Sequence, residues 1–188
     1  MKAIWYEKQG NASEVLIFGE IDQPVPKNDE VLVKVSFSGL NPSDTKRRSG
    51  FRGQKHAFPK IIPHSDGSGV IEAVGSNVDK NRVGERVWLY SAQWKRPFGT
   101  AANFVCVPST LAIPLADSTS LEIGATIGIP ALTAYAGMFK YSKLNGSAIL
   151  ITGGGGSVGN CAIQMAKYAG AHVIASVSGQ EKMTAALN

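Results

Sequence analysis

Over the first half of the chain, apolar positions come in short β-branched or aromatic runs broken by Gly, Pro and Asn. Val31-Leu32-Val33-Lys34-Val35-Ser36-Phe37 mixes an apolar run with alternation, and it is entered from the turn-rich Pro24-Val25-Pro26-Lys27-Asn28-Asp29. That is the pattern of a strand behind a tight loop. Residues 69–75, 85–90 and 102–107 repeat it. Several such strands with no long helical period between them predict a compact β-barrel or sandwich.

After Pro114 the texture changes. Residues 120–127 and 131–139 carry helical spacing, with Ser118 or Ser120 able to cap the first helix. Ser147-Ala148-Ile149-Leu150-Ile151-Thr152 is a continuous apolar run, the pattern of a strand buried on both faces. A glycine cluster, a helical pattern over 158–169 and a second strand over 171–176 follow, making one βαβ unit. The expected division is a β-rich domain over 1–120 and the start of an α/β domain over 121–188.

Composition narrows the class. A chain of 188 residues with 44% hydrophobic and 18% charged residues can bury a core, which excludes disorder over the whole length. The aliphatic runs fall far short of the roughly 18 residues of a membrane span, and the first residues lack a signal-peptide core. A soluble, cytoplasmic protein is expected. Cys106 and Cys161 stand far apart without ligand spacing and read as small hydrophobes, not as a disulfide or a zinc site. The net charge of +5 is scattered except for Lys46-Arg47-Arg48-Ser49-Gly50-Phe51-Arg52-Gly53-Gln54-Lys55, read as a basic loop.

The glycine cluster carries the chemistry. In Gly153-Gly154-Gly155-Gly156-Ser157-Val158-Gly159, the residues Gly154, Gly156 and Gly159 fill the G-x-G-x-x-G template between a strand and a helix. A pyrophosphate must come within hydrogen-bond reach of main-chain N–H groups at the helix N-terminus, and a Cβ there holds it off. Ser157 and Val158 contribute the first helical N–H groups, and Gly159 lets the helix pack on the strand. The alternative is a tight connection with no ligand. The end of the second strand selects the dinucleotide: an acidic residue there bonds an NAD ribose, and this chain has Val177. An acid would repel a 2′-phosphate by about 4 kcal/mol per unit charge at roughly 4 Å and an effective dielectric near ~20. NADP(H) is therefore permitted, with Ser178 and Lys182 as candidate donors to the phosphate.

Asn41-Pro42-Ser43-Asp44, residues 69–75, Val83-Gly84-Glu85-Arg86-Val87 and the glycine turn occur in the order seen in medium-chain dehydrogenases/reductases. The chain most resembles their zinc-free quinone oxidoreductase, or zeta-crystallin-like, branch. From Leu150 to Lys167, Gln164 included, it is similar to that branch's signature, with Ser157 where Gly is usual. The resemblance implies a GroES-like β-barrel followed by the first β-α-β part of a Rossmann domain, with the rest of a six-stranded nucleotide domain missing. It also places Asn41 beside the nicotinamide and Thr133 at its amide end. The positions that hold the catalytic metal in zinc-dependent members fall on Asn41, Ser65 and Ile129, two poor zinc ligands and one that is none. His64 and Asp66 flank Ser65; adjacent residues in a strand or turn point apart, so they read as loop structure. The family's tyrosines at the substrate mouth are replaced by Lys46 and Arg52, which could steer an anionic cofactor, stabilise an enolate or hydroquinone anion, or be a solvated charge run.

The expected activity is NADPH-dependent hydride transfer to a quinone or an α,β-unsaturated carbonyl, without a Lewis-acid metal. Two alternatives are an alcohol dehydrogenase, opposed by Asn41, Ser65 and Ile129, and a non-catalytic structural or RNA-binding protein. The second has little support, since only Phe51 and Phe58 flank the one basic run. A truncated enzyme is expected, with the strand 148–152 left as an apolar edge; a homodimer formed through that edge is the alternative.

Overall fold

The protein is described by a computed structural model over residues 1–53, 55–140 and 143–187; Gln54 of the basic run and Asn188 at the chain end lie outside the described residues. The chain divides into two compact units, Met1–Gly128 and Ile129–Asn188.

The first unit contains β1 (Lys2–Trp5), α1 (Ala12–Val15), β2 (Ile17–Glu20), β3 (Glu30–Gly39), α2 (Pro42–Ser49), β4 (Asp66–Val74), β5 (Arg86–Leu89), β6 (Phe104–Pro108), β7 (Ala112–Pro114) and α3 (Leu121–Gly124). β1 pairs with β2, and an antiparallel five-stranded sheet runs in the order β6-β3-β4-β5-β7. β3 is the axis of this sheet. Its register sets Val31 against Val107 and Val33 against both Val105 and Ile71. With Val87 and Leu89 these side chains form one core, each at most 1% exposed. Period-two alternation over β-branched residues puts them all on the same face. Two register shifts in the β3–β4 pair, between Leu32 and Val33 and between Val35 and Phe37, bend the strand as bulges do.

Ser120 caps α3 by accepting the Ile123 N–H at 3.3 Å, and the Ser68 hydroxyl of β4 donates to the Leu121 carbonyl at 2.5 Å. α3 lies against β4 and β5, so this stretch belongs with the β-rich unit. From Lys46 to Ser49 the basic run is helix and not loop. Lys46, Arg47 and Arg48 occupy the last turn of α2, where the helix dipole favours cations, and Gly50 at φ 71° ends the helix ahead of a short 3₁₀ turn over Phe51–Gly53.

The second unit contains α4 (Gly128–Phe139, from Ile129 onward), β8 (Ala148–Thr152), α5 (Ser157–Tyr168), β9 (His172–Ser176) and α6 (Gln180–Leu187). β8 and β9 are parallel, pairing Ala148 with His172 through Thr152 with Ser176, and α5 packs against both. Ala134, Leu144, Ile151, Ala162, Ile163 and Ala166 form the core. The expectation that β8 is buried on both faces does not hold. Leu150 and Ile174, register partners, are 66% and 53% exposed, while the next residue along β8, Ile151, is buried. Successive side chains on a strand point to opposite faces. The α5 side is covered, and the Leu150 face carries no comparable layer among the described residues.

The β3–β4 pairing leaves no room for a side chain at Gly69, where a Cβ stands 2.0 Å from the Lys34 carbonyl oxygen. Gly69→Ala should lower the unfolding free energy of the first unit by about 2–3 kcal/mol. All three tryptophans, Trp5, Trp88 and Trp94, lie in this unit. Urea unfolding followed by their fluorescence reads the change, and an unaltered midpoint contradicts the strand register.

Candidate functional site

The glycine turn sits between β8 and α5. Gly153 takes φ 72°, the left-handed region glycine enters at little cost, and lets the chain reverse. The Gly154 N–H donates to the Ser176 carbonyl at 2.9 Å, fixing the turn to the end of β9. Gly156 caps α5 with extended backbone and no side-chain bond. The first N–H groups of a helix have no partner within it. The two glycines that follow β8 closely differ in what they face. A Cβ at Gly159 stands 2.3 Å from the Gly153 carbonyl oxygen, so main chain meets main chain there. A Cβ at Gly156 meets only that same oxygen, at 3.4 Å, and otherwise open space.

That space is a cleft of about 420 Å³ lined by Gly153, Gly155, Gly156, Ser176, Val177, Ser178 and Lys182. The Lys182 ammonium, in the first turn of α6, donates to the hydroxyl of Ser178 just before the helix at 3.2 Å. Lys182 is the one charged residue in the lining, and no carboxylate is among the residues that form it. A helix N-terminus, open main-chain N–H groups and a single cation make a surface suited to a diphosphate.

In the first unit a chain of polar groups runs through the interior. Asn41, 7% exposed, caps α2; its main-chain N–H donates to Asp44 Oδ2 at 2.8 Å and its side-chain Nδ2 to Asp66 Oδ2 at 2.8 Å. The Thr100 hydroxyl donates to the Asp66 carbonyl, and Ser38 Oγ bonds both Thr100 Oγ1 and His64 Nδ1 at 2.8 Å. Burial pushes the Asp44 carboxyl up, partly offset by the Asn41 N–H and the Arg47 charge. Burial also holds the His64 imidazole below its ordinary value. Such a network fixes the Asn41 amide in one orientation.

Residues 27–117 match the alcohol dehydrogenase GroES-like domain. Mouse quinone oxidoreductase is 32% identical over 182 residues, covering 96% of this chain and 54% of that protein. Tomato 2-methylene-furan-3-one reductase is 32% identical over 189 residues, covering 97% of this chain and 48% of that protein. The structure of Escherichia coli quinone oxidoreductase complexed with NADPH superposes with a TM-score of 0.85 at 27% identity, over 100% of this chain and 56% of that one. Over nearly its whole length the chain is similar to quinone oxidoreductases, and its residues 27–117 are similar to the alcohol dehydrogenase GroES-like domain. It spans about half the length of the curated relatives it matches. In fold it is a GroES-like β domain followed by the first β-α-β part of a Rossmann domain.

Of the residues that the family pattern singles out, Asn41 and Ser65 are buried in the first unit. His64 and Asp66 flank Ser65 and meet through Ser38 and Thr100, so the loop residues read from sequence as merely structural belong to the same network as Asn41. Among the described residues no three His, Cys, Asp or Glu side chains gather as a metal site. Thr133, on α4, donates its hydroxyl to the Ile129 carbonyl one turn back at 2.6 Å. Lys46 and Arg52 flank one ring: the ammonium lies 5.5 Å and the guanidinium 5.3 Å from the Phe51 centroid. Both cysteines are free, and burial pushes the Cys106 thiol up to about 11. Sequence reasoning missed Asp66 as the partner of the Asn41 amide, and Thr100 and Ser38 as the groups that extend the network from Asp66. It also missed Gly155, where a Cβ stands 2.6 Å from that of Lys182, so that α6 closes on the turn.

The depressed His64 value sets a pH dependence. The unfolded chain takes up this proton near pH 6.5, and the folded chain only at lower pH. In that window the unfolded state binds more protons, so His64 costs stability as pH falls below 6.5 and has no effect above it. Unfolding midpoints of wild type and His64→Asn across that range should diverge, the wild type falling more steeply towards acid. Parallel profiles contradict the buried neutral imidazole.

Proposed function

We propose that the chain forms the nucleotide cradle and part of the substrate wall of an NADPH-dependent reductase that passes hydride to a quinone or an α,β-unsaturated carbonyl without zinc. The observation that carries this reading is the space in front of Gly156, where a Cβ would stand against a single main-chain oxygen and otherwise in the open. Relatives solved with NADPH support it.

In this reading the main-chain N–H groups of Ser157 and Val158 hold the pyrophosphate; Gly156, whose own N–H donates to the Gly153 carbonyl at 3.0 Å, leaves the approach to them open, and Gly154 and Gly159 keep the turn against the helix. Ser178 and Lys182, already bonded to each other, receive the 2′-phosphate, and Val177 presents no negative charge to it. When bound, NADPH supplies the hydride. Asn41, its amide held by Asp66, orients the nicotinamide, and Thr133 contacts its amide end. The positions that carry the metal in zinc-dependent relatives hold an amide, a hydroxyl and an alkyl side chain, a donor set that zinc does not favour. A quinone or activated enone needs no Lewis acid, because the acceptor itself provides the driving force. In this reading Lys46 and Arg52, both close to the Phe51 ring, are the charges that stabilise an enolate or hydroquinone anion.

A structural or RNA-binding role draws on the same basic residues. Two of those cations are already engaged within the first unit: Arg47 donates to Gln93 and Arg48 to the Gly10 carbonyl. This weakens the basic run as a nucleic-acid surface.

Calorimetry with the full chain tests the cradle. Gly156→Ala should fold as wild type does and bind NADPH at least about tenfold more weakly, the loss of roughly one charge-assisted hydrogen bond. Equal affinity in the two proteins, or no NADPH binding by wild type, contradicts the reading. Val177→Asp should move preference from NADPH towards NADH by about tenfold or more, from the repulsion between its carboxylate and the 2′-phosphate. An unchanged NADPH-to-NADH ratio removes Val177 as the determinant.

A further inference from the structure

A second cavity, of about 180 Å³, lies within the first unit and shares no residue with the sites described above; Tyr6, Arg47, Lys55, His56, Gln93 and Lys95 contribute to its wall. Three cations and an imidazole line it, and no carboxylate does. The nearest acid on α2, Asp44, is engaged by the Asn41 N–H.

The polar atoms of this wall are positioned but not all satisfied. Both ring nitrogens of His56 are shielded from solvent and bond to nothing among the described residues. The ring tilts against Tyr6, with centroids 5.6 Å apart and planes at 53°. An imidazole carries at least one N–H in every protonation state, and a buried donor without an acceptor is costly. Across the cavity Arg47 is held in place: its Nη1 donates to the side-chain and main-chain oxygens of Gln93, and its carbonyl accepts from Gln9 Nε2 at 3.0 Å. Gln93 is itself 3% exposed and donates to the Arg96 carbonyl at 2.8 Å. The guanidinium is thus pre-positioned by its neighbours.

Size and charge define what fits. The volume corresponds to about six waters, too small for a nucleotide and ample for one oxyanion with part of its hydration. We propose that this cavity binds a small oxyanion, a phosphate or a carboxylate group, which accepts from the His56 ring and is held by the charges of Arg47, Lys55 and Lys95. The site is independent of the nucleotide cradle, so it stands or falls separately from the proposed reductase activity.

The test is an anion titration of the full chain at low ionic strength, followed by the ring-nitrogen resonances of His56 and by calorimetry. Inorganic phosphate, acetate and chloride serve as probes. Phosphate or acetate should shift the His56 ring signals saturably while chloride does not, and whichever of the two binds more tightly identifies the headgroup. His56→Phe, which keeps a ring against Tyr6, should weaken that binding about tenfold. Lys55→Gln with Lys95→Gln changes only exposed side chains and should weaken it as well, whether or not the His56 variant folds. Absence of a saturable shift with phosphate and with acetate overturns the proposal. So does unchanged affinity in the double lysine variant.

Discussion

A diphosphate reaches main-chain N–H groups only where no Cβ stands in front of them, and a helix reaches the strand before it only where no Cβ stands between them. Both constraints fall on the seven residues from Gly153 to Gly159. Gly159 answers the second, with its Cα against the main chain of Gly153 and Gly154; Gly156 answers the first, with space before it. Around this turn the second unit is assembled in register. The Gly154 N–H is tied to the end of β9, α5 packs back on both strands, and α6 closes over Gly155. The cleft that results is bordered by one lysine and by Val177, and its electrostatics follow from what those two positions carry.

The first unit meets a different demand. A carboxylate that is fully buried, as Asp66 is, must be surrounded by donors. Asn41 is one of them, and Thr100 binds the carbonyl of the same residue while linking Ser38 and His64. The interior polar chain and the β-branched core around Val31, Val33 and Ile71 thus occupy one small domain without mixing: the core is apolar throughout, and the polar groups bond to one another along the edge where β3 leads into α2. Asn41 owes its fixed position to this arrangement. A helix cap whose side chain is also pinned by a buried acid has little freedom to reorient, which suits a group that must hold a planar ring in place.

The strands and the glycine turn could be read from the sequence because their signals are local. Alternating β-branched residues within ten positions mark β3, and three glycines between a strand and a helix mark the turn. The site in the first unit could not be read in this way. The Asn41–Asp66 bond spans 25 positions and the Ser38–Thr100 bond spans 62, and neither leaves a trace in neighbouring residues. α2 was hidden for another reason. Its residues Pro42-Ser43-Asp44-Thr45-Lys46-Arg47-Arg48-Ser49 have no apolar stripe, and what makes it a helix is its N-terminal proline, the Asn41 cap, its acid in the first turn and its bases in the last. β8 misled in the opposite direction. An apolar run shows what a strand can bury, not what covers it, and Leu150 is exposed despite its sequence.

The account rests on the main chain of the glycine turn touching the nucleotide. The most direct measurement is an NADPH titration of the full chain followed by backbone amide resonances. The amides of Gly155, Gly156, Ser157 and Val158 should shift saturably, together with those of Ser178 and Lys182, while the strands β3 to β6 remain unchanged. Saturable NADPH binding that leaves the turn amides where they were, or a titration in which no amide responds, would contradict it.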